Sequence, residues 1–130
     1  MEDTLRSGLL SVVLPSYNEE ASIPRAADTI TAILIDADIP HELVFVDDGS
    51  RDRTWTVIQE QAGRHPQVRG VRFSRNFGKE AAIFAGLAQA RGDCTLVMDC
   101  DLQHPPEKAV EMYRLWQEGY QVVEGVKASR

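Results

Sequence analysis

Short apolar runs of strand length alternate with segments of helical period along this chain, and that alternation leaves few folds open. Residues 9–14 are β-branched and apolar, and Pro15 is expected to stop them. Residues 42–46, 68–73 and 94–98 repeat the pattern, and 121–126 reads as a fifth strand. The spacing predicts a first helix over about 22–35. Pro24 suits its opening turn, and Ile23, Ala26, Ala27, Ile30, Ile33 and Leu34 form one apolar face. A second helix runs from a cap at Asp52 or Ser50 to about 62, a third over 79–90, and a fourth from Pro106 to 118. Arg91-Gly92 and Gly119 supply the stops of the last two. The links are too short for anything but crossover helices, so the strands must run parallel. The predicted class is α/β: a Rossmann-like three-layer sandwich, a mainly parallel sheet with helices on both faces.

The polar residues of the chain share one address in that scheme. Ser16-Tyr17-Asn18-Glu19-Glu20 follows the first strand, Asp47-Asp48-Gly49-Ser50 the second, Ser74-Arg75-Asn76-Phe77-Gly78-Lys79 the third, and residues 99–104 the fourth. All four clusters fall at strand carboxyl ends, the rim where open α/β sheets bind ligands. Asp99-Cys100-Asp101 is the sharpest of them. Two hard carboxylates two residues apart, at the end of a buried strand, suit Mg²⁺ or Mn²⁺, which would in turn hold phosphates. The plainer alternative is an Asp pair that caps the following turn or helix. Pro15, Tyr17, Asn18 and Glu19 could floor a nucleotide, with the Tyr17 ring and loop amides as contacts, or simply form a turn and helix cap. An acid at Asp47 or Asp48 would accept hydrogen bonds from a base edge or ribose, not from phosphate, because like charges repel; the alternative is a tight turn. Arg75, Asn76 and Lys79 are the basic cluster among acidic loops, at a predicted helix start that favours anions. His104 reads as a cap of the Pro105-Pro106 helix before it reads as a metal ligand.

Composition narrows the partners. The 130 residues, 43% hydrophobic and 26% charged, are enough for one domain with a core. A net charge of −6 gives no footprint for nucleic acid. Cys94 and Cys100 sit in or beside one predicted strand and cannot easily reach each other, so they read as reduced thiols of a cytosolic protein. The acidic Met1-Glu2-Asp3, with no long apolar stretch after it, is not expected to be a signal peptide, and no stretch approaches the ~20 apolar residues of a membrane span. A P-loop and a G-x-G-x-x-G fingerprint are both missing, which removes the main support for kinase-like and dinucleotide-dehydrogenase chemistry.

Three segments carry a resemblance to a known family. Val12-Val13-Leu14-Pro15-Ser16-Tyr17-Asn18-Glu19-Glu20, Val46-Asp47-Asp48-Gly49-Ser50-Arg51-Asp52-Arg53-Thr54 and Met98-Asp99-Cys100-Asp101-Leu102-Gln103 are similar to the hallmark segments of family 2 glycosyltransferases with the GT-A fold. Arg75-Asn76-Phe77-Gly78-Lys79-Glu80-Ala81-Ala82 and Asp101-Leu102-Gln103-His104-Pro105-Pro106-Glu107 resemble its polyprenyl-phosphate branch, the bactoprenol glucosyltransferases and dolichol-phosphate mannose synthases. The resemblance covers about residues 9–127. It departs at Cys100, where the family often has alanine and which is expected to point away from the metal. It departs also in length, since family members usually continue with an acceptor-side half.

The resemblance implies a hexosyltransferase of cell-envelope glycan synthesis. Its donor is expected to be a UDP- or GDP-linked sugar and its acceptor a polyprenyl phosphate, with inversion at the anomeric carbon. Asp99 and Asp101 would hold Mg²⁺ or Mn²⁺; Pro15, Tyr17, Glu19 and Asp48 would meet the nucleoside, with Asp47 as a lesser candidate and Gln103 near the sugar or metal. Residues 1–130 are expected to form a single nucleotide-sugar-binding domain truncated at its C-terminal side. Such a domain would bind donor but transfer poorly alone, and would self-associate through an exposed sheet edge. In full-length context it would work in the cytoplasm, at the inner face of the membrane. The alternatives are a nucleotide-sugar-binding module without catalysis of its own, and a nucleotidyltransferase; the latter would want a Gly- and Lys-rich loop after the first strand, which residues 15–20 lack.

Overall fold

The computed structural model describes residues 7–103 and 105–120. Four parallel strands, β1 (Leu10–Ser16), β2 (His41–Asp47), β3 (Val68–Arg72) and β4 (Cys94–Val97), lie in the order β3-β2-β1-β4. They alternate with α1 (Ile23–Asp36), α2 (Thr54–Arg64), α3 (Lys79–Gln89) and α4 (Lys108–Gln117). The expected alternation and parallel sheet therefore hold. The fifth strand expected at 121–126, and His104, lie outside the described residues.

The strand order follows from burial. β1 and β2 are apolar on both faces, so they occupy the centre, while the short β3 and β4 flank them. On one face Leu10, Val12, Leu14, Leu43, Phe45 and Val68 pack against α1, α2 and α4. On the other, Val13, Val44 and Val46 pack against Ala82 of α3. Helices cover both faces, as expected, but three lie on one side and α3 alone on the other. Arg114 of α4 donates to the Ala37 carbonyl at the end of α1 (2.8 Å), which ties α4 to the crowded face.

Pro15 does not end β1. The strand runs on to Ser16, pairing Pro15 with Val46 and Ser16 with Asp47 of β2. The proline instead ends the pairing on the opposite side. The Val13 carbonyl accepts the Met98 amide (2.9 Å), and the next residue of β1 that faces β4 is Pro15, which has no N–H to give. β4 accordingly stops at Val97, and the chain leaves the sheet just before Asp99.

Two helix starts also differ from the sequence expectation. Asp52 accepts the Thr54 amide (2.9 Å) and hydroxyl, but the residue at the cap position of α2 is Arg53. Pro105 and Pro106 make a turn, and α4 begins at Lys108. At its far end Gly119 adopts φ 112°, the expected stop.

Candidate functional site

Crossovers from β1 run outward to β2 and β3, and the chain then returns to the opposite side of β1 as β4. The direction of winding therefore reverses between β1 and β4, and a crevice opens beyond their carboxyl ends. The turn after β1 and the acidic turn after β4 flank that crevice.

The acidic turn sorts its side chains by environment. Cys100 is buried, with Sγ 3.0 Å from the Ser16 hydroxyl and 3.8 Å from the Pro15 carbonyl oxygen. Burial pushes its thiol up to about 12, against the Ser16 hydrogen bond and helped by the charges of Glu19, Asp99 and Asp101. Asp99 is half-buried and Asp101 exposed. Cys100 thus points inward, as expected, and the two acids stand on the rim. The Leu102 amide reaches back to the Asp99 carbonyl (3.2 Å) with Leu102 at φ 56°, and the exposed Gln103 donates its amide to Asp101 (3.3 Å). Glu19 joins this group from across the crevice. Its carboxyl is raised above the usual range by burial and by the charges of Asp101, Asp99 and Asp52, opposed by a hydrogen bond with Ser22. Glu19, expected at the nucleoside, thus also lies within the field of the acid pair.

The turn after β1 is stapled to the turn after β2. Amides of Asn18, Glu19 and Glu20 donate to Ser50 (2.8 Å), Thr54 (2.8 Å) and Asp52 (3.4 Å). In return Arg51 donates its amide to the Asn18 side chain (2.9 Å) and Arg53 to Glu20 (3.2 Å). The loop amides expected to face a nucleotide are therefore already engaged, while the Tyr17 ring is 42% exposed and free to stack. The Thr54 donors draw Asp52 below its usual value, against a burial effect that pushes it up. Sequence reading took Ser50 and Asp52 for helix caps and passed over Thr54. Their Ser/Thr/Asp composition was the available signal, since such side chains bind neighbouring backbone.

Asp47 and Asp48 take different posts. Asp47 is buried, accepts the Ser50 amide (3.0 Å) and lies 3.9 Å from Arg72. Asp48, also buried, grips the turn after β3: it accepts the amides of Phe77 (2.8 Å) and Gly78 (3.1 and 3.2 Å) and the Asn76 side chain (3.1 Å). Gly49 makes that contact possible. It sits at φ 67°, and a Cβ on it would overlap the backbone of Arg75 and Asn76. Within the gripped turn the Arg75 guanidinium lies over the Phe77 ring at 4.2 Å. Lys79, the first residue of α3, reaches across the crevice and sets Nζ 2.9 Å from Asp99 Oδ1. An open depression of ≈350 Å³ on the same rim is lined by Gly49, Ser50, Arg72, Phe73 and Ser74.

The rim therefore brings Tyr17, Glu19, Lys79, Asp99 and Asp101 around one crevice, with Asp48 and Asn76 behind the β3 turn and Asp47 inside the sheet end. Its donors toward a cation are the hard carboxylate oxygens of Asp99 and Asp101, whose charges reach Glu19, while no three His, Cys, Asp or Glu side chains among the described residues stand close enough to enclose an ion. In kind, that donor pair suits Mg²⁺ or Mn²⁺ with further oxygens supplied from outside the protein.

Comparison with known proteins places the chain in a family. The model of glycosyl transferase family 2 covers residues 11–128. An undecaprenyl-phosphate 4-deoxy-4-formamido-L-arabinose transferase of Pseudomonas aeruginosa is 43% identical over 123 residues, which is 94% of this chain and 36% of that protein. YkcC of Bacillus subtilis, an uncharacterized glycosyltransferase, is 42% identical over 120 residues, 92% of this chain and 37% of its own. The chain thus spans little more than a third of the length of these curated relatives. Among solved structures, glucosyl-3-phosphoglycerate synthase of Mycobacterium tuberculosis in complex with UDP superposes with a TM-score of 0.68 at 29% identity, over 85% of this chain and 40% of that one. A mannosyltransferase from Pyrobaculum calidifontis, solved with GDP-Man and Mn²⁺, gives a TM-score of 0.73 over 91% of this chain and 34% of that one. At 24% identity the latter speaks to the fold alone, and both bear out the GT-A arrangement.

Proposed function

Since the chain belongs to glycosyl transferase family 2, we propose that it binds a nucleoside diphosphate sugar in the crevice between β1 and β4 and serves its transfer to a polyprenyl phosphate. The observation that carries this reading is the meeting of Asp99 and Asp101 with Tyr17, Glu19 and Lys79 at the point where the winding reverses. The name of the P. aeruginosa relative supports the acceptor class, and the UDP complex of the synthase supports a nucleotide in the crevice.

Each residue has a task in this reading. Asp99 and Asp101 would hold Mg²⁺ or Mn²⁺, and the cation would supply positive charge against the leaving diphosphate. Tyr17 offers its exposed ring to the base. Asp48 fixes the turn after β3, and through it the start of α3. Arg75 and Lys79 add cationic charge beside the phosphates, and Gln103 stands at the sugar side of the acidic turn. Inversion needs a nucleophile opposite the leaving group. A phosphate monoester is already largely dianionic near neutral pH, because its second pKa is about 6, so the chain need not provide a general base. Such an acceptor places the reaction at the inner face of a membrane. No helix among the described residues is long and apolar enough to cross one. The outer edge of β4 has no strand partner among the described residues, and self-association through it belongs to the same proposal.

A calorimetric titration of UDP- and GDP-sugars, with and without Mn²⁺, tests the reading. Binding of one of them should strengthen with Mn²⁺, and Asp101→Asn should blunt that gain. Affinity unchanged by EDTA in the wild type would refute the metal role of the pair.

A further inference from the structure

The Lys79–Asp99 contact is unusual in its placement. A lysine ordinarily spends its charge in water, and an exposed pair contributes little to stability. This one spans the crevice, from the first residue of α3 to the acid turn after β4. The backbone beneath it is fixed. Asp48 binds the amides of Phe77 and Gly78, and the Gly49 turn lies flush on Arg75 and Asn76. Above that anchored backbone, Lys79 is a flexible four-carbon stem with a point charge at its end. The neighbouring Arg75 is stacked on Phe77. Its partner Asp99 shares an electrostatic field with Asp101 and Glu19: burial raises the Glu19 carboxyl most, and the charges of both aspartates add to it.

We propose that Lys79 is the built-in counter-cation of this site: it neutralises Asp99 until a divalent cation takes its place, and then turns to the diphosphate that arrives with the metal. The inference rests on the metal reading of Asp99 and Asp101 and adds an exchange of partners to it. Without such a charge, Asp99 would stand unpaired in the negative field it shares with Asp101 and Glu19. With a divalent ion at Asp99, the ammonium group is repelled by the metal and attracted by the phosphate oxygens within its reach. Asp48 acts as a positioning residue, because it sets where α3 starts and hence where the lysine stem is rooted.

The exchange predicts effects of opposite sign. Mn²⁺ binding to the whole chain, without nucleotide, is followed by the loss of the free-ion paramagnetic resonance signal. Lys79→Met should bind Mn²⁺ about two- to fivefold tighter than wild type, the range an exposed ion pair supports. Lys79→Arg, which keeps the charge, should stay near wild type. In saturating Mg²⁺, the tighter binder of UDP and GDP should bind Lys79→Met more weakly than wild type. A merely structural lysine would move both affinities in the same direction, and thermal melts check that the variants fold. If Asp101→Asn weakens Mn²⁺ binding but Lys79→Met leaves it unchanged or weaker, the exchange is wrong and the metal site stands. If wild type binds no Mn²⁺ and neither Asp99→Asn nor Asp101→Asn alters that, the metal reading fails and the exchange fails with it.

Discussion

Glu42 offers the most quantitative test of how this sheet is held. It opens β2 at the amino end of the sheet, opposite the crevice, and its side chain is 8% exposed. Four donors from three residues converge on its carboxylate. The Ser11 hydroxyl donates at 2.6 Å, the Arg91 amide at 2.7 Å, and Arg69 through Nε at 3.1 Å and Nη2 at 2.9 Å. Arg69 also donates to the Gln89 carbonyl at the end of α3, and Ser11 accepts the Gly92 amide at 2.8 Å. The carboxylate therefore ties together β1, β2, β3, the end of α3 and the start of β4. Glu42→Gln keeps the volume but sets an NH₂ group where a donor now points and leaves the Arg69 charge unpaired. Hydrogen bonds to charged groups contribute about 1.5–3 kcal/mol each. Breaking one side of a buried pair typically costs about 3–5 kcal/mol. For a domain of this size each kcal/mol lowers Tm by roughly 3–5 °C, so the variant should melt about 10–20 °C below wild type at pH 7.

The pH dependence carries a definite sign. Burial pushes the Glu42 carboxyl up, but the Arg91 amide, Ser11 and Arg69 together hold it below its usual 4.5. A depressed carboxyl stabilises the fold above its unfolded pKa and loses that contribution as pH falls through the folded value. The Tm gap between wild type and Glu42→Gln should therefore be full at pH 6 and 7 and narrow below about pH 4.5. Calorimetric melts across this range measure it. A gap of under about 3 °C at pH 7, or one that stays constant down to pH 3, would refute the account of Glu42 as the knot of the amino end.

Two further outcomes follow from geometry already described. Gly49→Ala combines a left-handed backbone with a Cβ that overlaps the Arg75–Asn76 backbone, so it should destabilise by at least about 1–2 kcal/mol and loosen the turn after β3; denaturant melts and amide exchange at Phe77 and Gly78 check it, and an unshifted midpoint would count against the flush contact. Cys100, buried and pushed up to about 12, should resist iodoacetamide at pH 8 in the native protein and react once urea unfolds the chain, which peptide mass mapping reads directly; native labelling would mean that the acid turn opens readily.

Much of this was legible in the residues. Strand and helix alternation gave the parallel sheet, because apolar runs of five or six residues and helical periodicity are local signals. The four polar turns gave the rim for the same reason. What the sequence did not disclose was the partner of each polar side chain. Asp47 and Asp48 both read as acids facing a base or ribose, Asp47 as the lesser candidate, yet one is enclosed at the strand end and the other holds a turn almost thirty residues away. That difference depends on β3 lying beside β2, a long-range fact. Thr54 looked like an ordinary helix residue until the turn after β1 came within reach of it. The uneven cover of the sheet was equally hidden, since the apolar face of α4 does not say which side it will join. Phe84, 71% exposed on α3, and Val97, 37% exposed on β4, remain on the thinly covered side.

Pro15 gives the acid turn a fixed origin. In a ladder of ordinary residues, the point where two strands part is set by a balance of small energies, and fraying can move it by a residue. Here a covalent ring closes the ladder at one rung on the β4 side, while the β2 side continues to Ser16 and Asp47. The starting point of the turn that carries Asp99 and Asp101 is thus dictated by a different strand from the one that carries them. Changes within β4 can alter its strength of attachment without shifting where the chain departs. The two carboxylates keep their reach into the crevice because the stop that sets it lies in the central strand, the part of the sheet that is last to fray.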